Sequence, residues 1–178
     1  MIVTFDTSVL LLFLTPSVQL PRAPGTTDPL PMARERVEHL IAELTASKAR
    51  VLIPTPVLSE VLVNAGAAAA AYVDILGHSS CFRIVDFDQR AAVELAAMVR
   101  QAIDSGDLKG GSTSSRQKIK VDRQIVAIAK VNKASVIYSD DQDVVRFGQR
   151  AGLRVITTAE LSLPPEAAQG SLPFEPEW

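Results

Sequence analysis

Ile2-Val3-Thr4-Phe5-Asp6-Thr7-Ser8, followed at once by the apolar run 9–14, decides how this chain is read. Four strand-forming residues end on an aspartate and two hydroxyl side chains. That is how a buried parallel strand delivers a carboxylate to the C-terminal edge of a sheet, where open α/β folds place their chemistry. Further acids recur downstream at points where strands should meet helices: Glu60, Asp122, and the group Asp140, Asp141 and Asp143.

Working outward, the pattern alternates. Strands are predicted over residues 2–6, 51–53, 81–85, 135–139 and 153–157, and helices over 8–14, 34–47, 56–76, 89–103, 121–133 and 143–150. In 34–47, Val37, Leu40, Ile41 and Leu44 recur at helical spacing on one face. Thr55 is placed to cap the next helix with Pro56 at its first position, and Asp86 or Asp88 to cap the one after. Gly152 suits a helix stop. Residues 15–31 hold prolines at 16, 21, 24, 29 and 31 and read as an irregular excursion. Residues 104–120, with Gly106, Gly110, Gly111 and a Ser/Thr cluster, read as a mobile loop.

Strands alternating with helices predict a three-layer α/β/α sandwich around a mainly parallel sheet. At 178 residues the chain suits one core. The expected organisation is a domain over 1–160, with 15–31 and 104–120 as insertion-like loops, and an extended tail over 161–178.

Composition narrows the chemistry. A single cysteine, Cys81, rules out an internal disulfide framework or a cysteine-rich zinc site, and His39 and His78 lie far apart in sequence. No uninterrupted apolar run reaches the ~20 residues of a bilayer span, and the N-terminus lacks the basic region of a signal peptide. A cytoplasmic protein without membrane contact is expected. The net charge is −2, so the molecule as a whole does not attract nucleic acid. Its charge is uneven, however: Lys109, Arg116, Lys118, Lys120 and Arg123 crowd one segment. Two readings of that strip stay open, a solvated loop or a surface that holds a polyanion, with Lys109, Arg116, Lys118 and Lys120 as its candidates.

Connections in a parallel sheet are right-handed, so all strand C-termini open onto one edge. Asp6 and the Ser139-Asp140-Asp141 group fall on that edge by construction, and Glu60 lies one turn into the following helix. Carboxylates converging without histidine or cysteine suit hard, oxygen-seeking cations. Each acid also has a plainer reading: Asp6 and Asp122 as helix caps, Asp140, Asp141 and Asp143 as a polar turn. Glu60 stands among Val57, Leu58, Val61, Leu62 and Val63, where an unpaired carboxylate would be costly. Strand alternation sends Asp141 to the side of Ser139 and Asp143 and leaves Asp140 facing solvent.

Four segments together resemble the PIN-domain ribonucleases, including the VapC-type toxins of prokaryotic toxin–antitoxin pairs. They are Ile2-Val3-Thr4-Phe5-Asp6-Thr7-Ser8-Val9-Leu10, Pro56-Val57-Leu58-Ser59-Glu60-Val61-Leu62, Asp122-Arg123-Gln124-Ile125-Val126-Ala127-Ile128-Ala129 and Val136-Ile137-Tyr138-Ser139-Asp140-Asp141-Gln142-Asp143. The resemblance implies a PIN-like fold and an endoribonuclease using Mg²⁺ or Mn²⁺, with RNA as substrate and an antitoxin protein as possible partner. Carried over residue by residue, Asp6, Glu60, Asp122 and Asp141 match the acidic quartet, Asp143 an additional metal-binding acid, and Ser8 and Ser139 supporting hydroxyls. Ser139 stands where the family has threonine, Val144 where it has an aromatic, and the two long loops exceed the compact toxins.

Other classes remain open at this level. A non-catalytic PIN-like module would bind RNA or protein through the same surfaces. A phosphohydrolase with an Asp nucleophile also begins with a strand-end Asp, but wants a second Asp where Ser8 stands. Apolar residues in 34–47 and 56–76 exceed what one helix face needs and favour a homodimer.

Overall fold

Val3 and Phe5 on one side of the first strand, and Thr4 on the other, are all inaccessible to solvent. A strand buried on both faces is a central strand of a parallel sheet, and the computed structural model, which describes residues 1–165, places it there. Five strands run in parallel in the order β3-β2-β1-β4-β5: β1 (Ile2–Phe5), β2 (Arg50–Pro54), β3 (Phe82–Val85), β4 (Val136–Tyr138) and β5 (Arg154–Ile156). β1 aligns Val3 with Val51 on one side and with Val136 on the other.

Helices cover both faces. One core gathers α1 (Thr7–Leu14), α2 (Ala33–Ala46), α3 (Thr55–Ala65) and α4 (Ala69–His78) around Val3, Phe5, Val51 and Ile53. Phe5 meets Phe82 and Tyr138 edge-on, with ring centroids 6.2 and 5.6 Å apart. The other core packs α6 (Arg116–Val131) and α7 (Gln142–Arg150) on Ile137 through Ile119, Val126, Val144 and Phe147, with α5 (Gln89–Asp104) alongside. Gly148 lets α7 lie close to β5: a Cβ there would meet Val155 Cγ2 at 2.5 Å.

The excursion after α1 is tied down by Arg34, which donates to the carbonyls of Leu12, Thr15 and Pro16. Within it, Arg22 and Pro29 form an isolated antiparallel bridge that closes a short inner turn.

Several boundaries differ from the sequence reading. The helix expected over 56–76 breaks at Gly66 (φ +53°) into α3, a short 3₁₀ turn (Gly66–Ala68) and α4. Thr55 does not cap α3; its hydroxyl accepts from the Phe87 N–H instead. Asp88 caps α5, accepting from the Ala91 N–H. The run Thr55–His78 spans 24 residues and is long and apolar enough to cross a membrane by length and composition, although Ser59, Glu60, Asn64 and Asp74 interrupt its apolar residues. Within this fold it is a flanking element whose Val57, Val61, Tyr72 and Leu76 enter the first core.

The largest change concerns α6. It begins at Arg116, with the Ser115 hydroxyl accepting from the Lys118 N–H, so residues 116–120 are helical rather than loop. Nor is the remaining loop free. Arg150 pairs with Asp107, Arg123 donates to the Leu108 carbonyl, and Ser112 and Ser114 donate to Asp143. Of the tail expected over 161–178, residues beyond 165 lie outside the described part.

Candidate metal centre

β2 and β3 lie on one side of β1, β4 and β5 on the other. The strand order therefore reverses between β1 and β4, the crevice where open parallel sheets accept ligands. Asp6 follows β1, and Ser139, Asp140 and Asp141 follow β4. The Asp6 N–H donates to the Tyr138 carbonyl at 3.0 Å, which fixes the two strand ends side by side.

Carboxylate oxygens of Asp122, Asp141 and Asp143 converge within 4.8 Å of one another. Asp141 is the N-cap of α7, accepting from the N–H groups of Asp143 and Val144, and Asp143 sits in that helix's first turn. Asp122 does not open its helix, as the sequence suggested. It lies in the second turn of α6, because Ser115 starts the helix earlier, and it comes to the edge from the side of the sheet that α6 covers.

Asp6 stands beside this triad, 4% exposed, and its Oδ2 accepts from Ser139 Oγ at 2.7 Å and Ser8 Oγ at 3.2 Å. The two serines do more than support Asp6. Ser139 Oγ also accepts from the Asp141 N–H, and Ser8 Oγ from the Asp140 N–H, so they lock the turn after β4. Glu60 is not in the triad. It is exposed on α3, and Thr7 Oγ1 donates to its Oε2 at 2.8 Å, which ties it to the residue after Asp6. The cost of an unpaired carboxylate among apolar neighbours therefore does not arise: Glu60 is exposed and partnered, while Val57 and Val61 turn into the core.

Electrostatics follow from crowding. Burial pushes the Asp6 carboxyl above its ordinary range, against hydrogen bonds from Ser139 and Thr7, and the Asp141 charge adds to the rise. Burial likewise lifts Asp122 to about 6, with Asp141 and Asp6 adding to it and Lys118 opposing. Asp143 goes the other way: burial would raise it, but Ser114, Ser112, Lys118 and Arg146 outweigh burial and hold it low. Arg146 Nη1 donates to its Oδ1 at 2.7 Å.

A raised carboxyl favours the fold when protonated. In the metal-free protein, the Asp122 contribution is fully present below its unfolded value of 3.8 and lost as pH rises through about 6. Urea midpoints of metal-free protein are expected to contain a component that falls across that window, absent in Asp122→Asn. A midpoint difference between the two proteins that does not change with pH would contradict it.

Asp140 was expected to face solvent and does not. Its carboxylate accepts from the Thr158 N–H at 2.7 Å and the Thr158 hydroxyl at 2.6 Å, anchoring the segment after β5. Asp140→Ala should cost about 2 kcal/mol in unfolding experiments, the worth of such charged hydrogen bonds, while leaving Mn²⁺ affinity unchanged. Loss of metal affinity would place Asp140 inside the centre.

The basic strip divides. Lys109, Arg116 and Lys120 border an open groove of about 600 Å³ between α5 and α6, floored by Leu95, Val99, Leu108 and Ile119. Arg123 is buried over the Phe147 ring, 4.8 Å from its centroid, and is structural. Lys118 points away from the groove and into the acids, with Nζ 2.7 Å from Asp122 Oδ2 and 2.8 Å from Asp141 Oδ2. Although partial burial disfavours its charge, those two hydrogen bonds hold its pKa above normal. One ammonium shared among several anions is firmly charged, while the anions remain short of compensation.

Thr7, Ser112, Ser114 and Arg146 were not singled out from sequence. The serines belong to the Ser/Thr cluster read as loop, and Arg146 stands three residues after Asp143 on the same helix, a spacing that forms ion pairs.

The donor set fits a hard divalent cation: three convergent carboxylates, a fourth beside them, and an ammonium already held in their midst. His39 pairs with Glu43 on α2, and His78 bonds the Asp74 carbonyl on α4, so neither belongs to the centre.

An all-parallel five-stranded sheet between two helical layers, with acids at the switch point, has the PIN-like α/β/α fold. Neither a family model nor a curated protein matches the chain. Solved structures do. VapBC2 from Rickettsia felis, bound to a DNA fragment from their promoter, has a chain that is 14% identical, covered over 98% of its length and 88% of this one, with a TM-score of 0.58. DNA-bound VapBC from Salmonella typhimurium is 15% identical over 97% of that chain and 88% of this one, TM-score 0.57. VapBC-1 from nontypeable Haemophilus influenzae is 12% identical over 98% of that chain and 89% of this one, TM-score 0.55.

Proposed function

We propose that this protein is a metal-dependent endoribonuclease that hydrolyses phosphodiester bonds of RNA, using Mg²⁺ or Mn²⁺, and acts as the toxin of a toxin–antitoxin pair. The observation that carries the reading is the convergence of Asp122, Asp141 and Asp143 beside buried Asp6 at the switch point of a PIN-like sheet. A cation bound there supplies Lewis-acid stabilisation of phosphate charge and a more acidic water.

The chain's own groups do the rest. Asp6, Asp122, Asp141 and Asp143 hold the cation, and Ser8 and Ser139 orient Asp6. Glu60, partnered by Thr7 next to Asp6, would add a further carboxylate for the cation or accept a proton from the substrate side. Lys109, Arg116 and Lys120 hold the backbone of a strand lying along the α5–α6 groove. An antitoxin protein as partner is supported by the VapBC assemblies that share the fold. The exposed Val63, Val73 and Ile75 on α3 and α4 support a homodimer through that face, and the domain is proposed to work in the cytoplasm.

A second reading has one observation in its favour. Lys118 already neutralises part of the acid cluster, as a non-catalytic RNA- or protein-binding module would allow. The Asp-nucleophile alternative is disfavoured, because the Oδ2 of Asp6 is engaged by two hydroxyls in a buried site. The deciding experiment is cleavage of single-stranded and structured RNA by purified protein. Activity with Mn²⁺ or Mg²⁺ that stops with EDTA is expected; metal-saturated protein that binds RNA without cutting it would establish the module instead.

A further inference from the structure

Lys118 is the one basic residue of its segment whose charge enters the acid cluster. Its Nζ lies 2.7, 2.8 and 3.7 Å from oxygens of Asp122, Asp141 and Asp143, the same three carboxylates that converge as a candidate metal site. An ordinary i,i+4 pair on a helix surface joins two exposed partners. Here three carboxylates share one ammonium, and two of them are buried.

A divalent ion held by these carboxylates would compete for the same oxygens, and two cations at that spacing repel strongly. The ammonium has a way out. Lys118 stands in the first turn of α6, its side chain is 41% exposed, and its four-carbon stem is flexible. A phosphodiester brought to the metal would offer new anionic oxygens within the swing of that stem.

We infer that Lys118 is the resting counter-ion of the metal site and couples it to the substrate. It holds the acids together before metal enters, yields its place, and then engages a phosphate oxygen of the bound strand. Metal and polyanion thereby favour each other's binding, as reciprocal linkage requires. The inference rests on the metal-site reading above and adds a positioning residue to it.

Mn²⁺ titrations followed by the electron paramagnetic resonance signal of the free ion test it, on full-length wild type, Lys118→Met and Lys118→Arg. Lys118→Met, which keeps the stem and removes the charge, should bind Mn²⁺ about tenfold more tightly than wild type, and Lys118→Arg no more tightly. A nuclease-resistant single-stranded phosphorothioate oligonucleotide should then tighten Mn²⁺ binding in wild type more than in Lys118→Met. Equal Mn²⁺ affinity in wild type and Lys118→Met overturns the inference and leaves the metal site standing. Equal enhancement by the oligonucleotide overturns the coupling. Absence of Mn²⁺ binding by every protein overturns the metal site and the inference together. Near-ultraviolet circular dichroism establishes that each variant has the wild-type packing before it is scored.

Discussion

Asp122→Asn is expected to lower metal-dependent RNA cleavage by about 10²–10³-fold under single-turnover conditions at saturating Mn²⁺, the scale of losing one preorganised charged group. The substitution removes a charge and almost no volume. Asp122 is buried in α6, its carboxylate is one of three that converge, and Asp6 and Asp141 are near enough to raise its pKa. The amide keeps one oxygen, so metal affinity should weaken rather than vanish. The metal-free fold should survive, because the charge it loses is the one that burial opposes. Cleavage undiminished in a metal-checked preparation would remove Asp122 from the centre and dissolve the triad.

The second large effect is on stability. Phe5→Ala should cost about 3–5 kcal/mol, a large share of the 5–15 kcal/mol that holds an ordinary domain together. Phe5 is fully buried on the central strand, its ring packs edge-on against Phe82 and Tyr138, and removing it opens a cavity between β1, β3 and β4. Because Asp6 is the next residue, the loss should reach the site, weakening Mn²⁺ binding even where the variant stays folded. Urea unfolding with tryptophan-independent detection measures it. A change under about 1 kcal/mol would mean that Phe5 is not the keystone its burial indicates.

The strands and their order of chemistry were legible in sequence because parallel strands are apolar runs that end abruptly on polar residues. Ile2–Phe5 into Asp6 and Val136–Tyr138 into Ser139 are both of this kind, and both were found to within a residue. What was not legible depended on partners distant in sequence. Asp140 looked solvent-facing because Thr158, eighteen residues on, cannot be seen from the turn. Glu60 read as a carboxylate at risk of standing unpaired among apolar neighbours, because its hydroxyl partner Thr7 lies on another helix, 53 residues away in sequence. The start of α6 was missed because Ser115 is one of several hydroxyl residues in a row, and only its cap bond distinguishes it. That error carried Lys118 from a loop into the acid cluster, and with it the division of the basic strip.

The position of β1 also bears on biosynthesis. β1 is the central strand and precedes its partners in the chain: it pairs with β2 from Arg50 onward and with β4 only from Val136. A ribosome therefore releases Asp6 long before the turn that fixes it exists, and Asp122, Asp141 and Asp143 follow near the end of the domain. Pairings of such wide sequence separation form late. The acids cannot meet until most of the described residues have emerged, so the candidate metal centre is completed only late in synthesis.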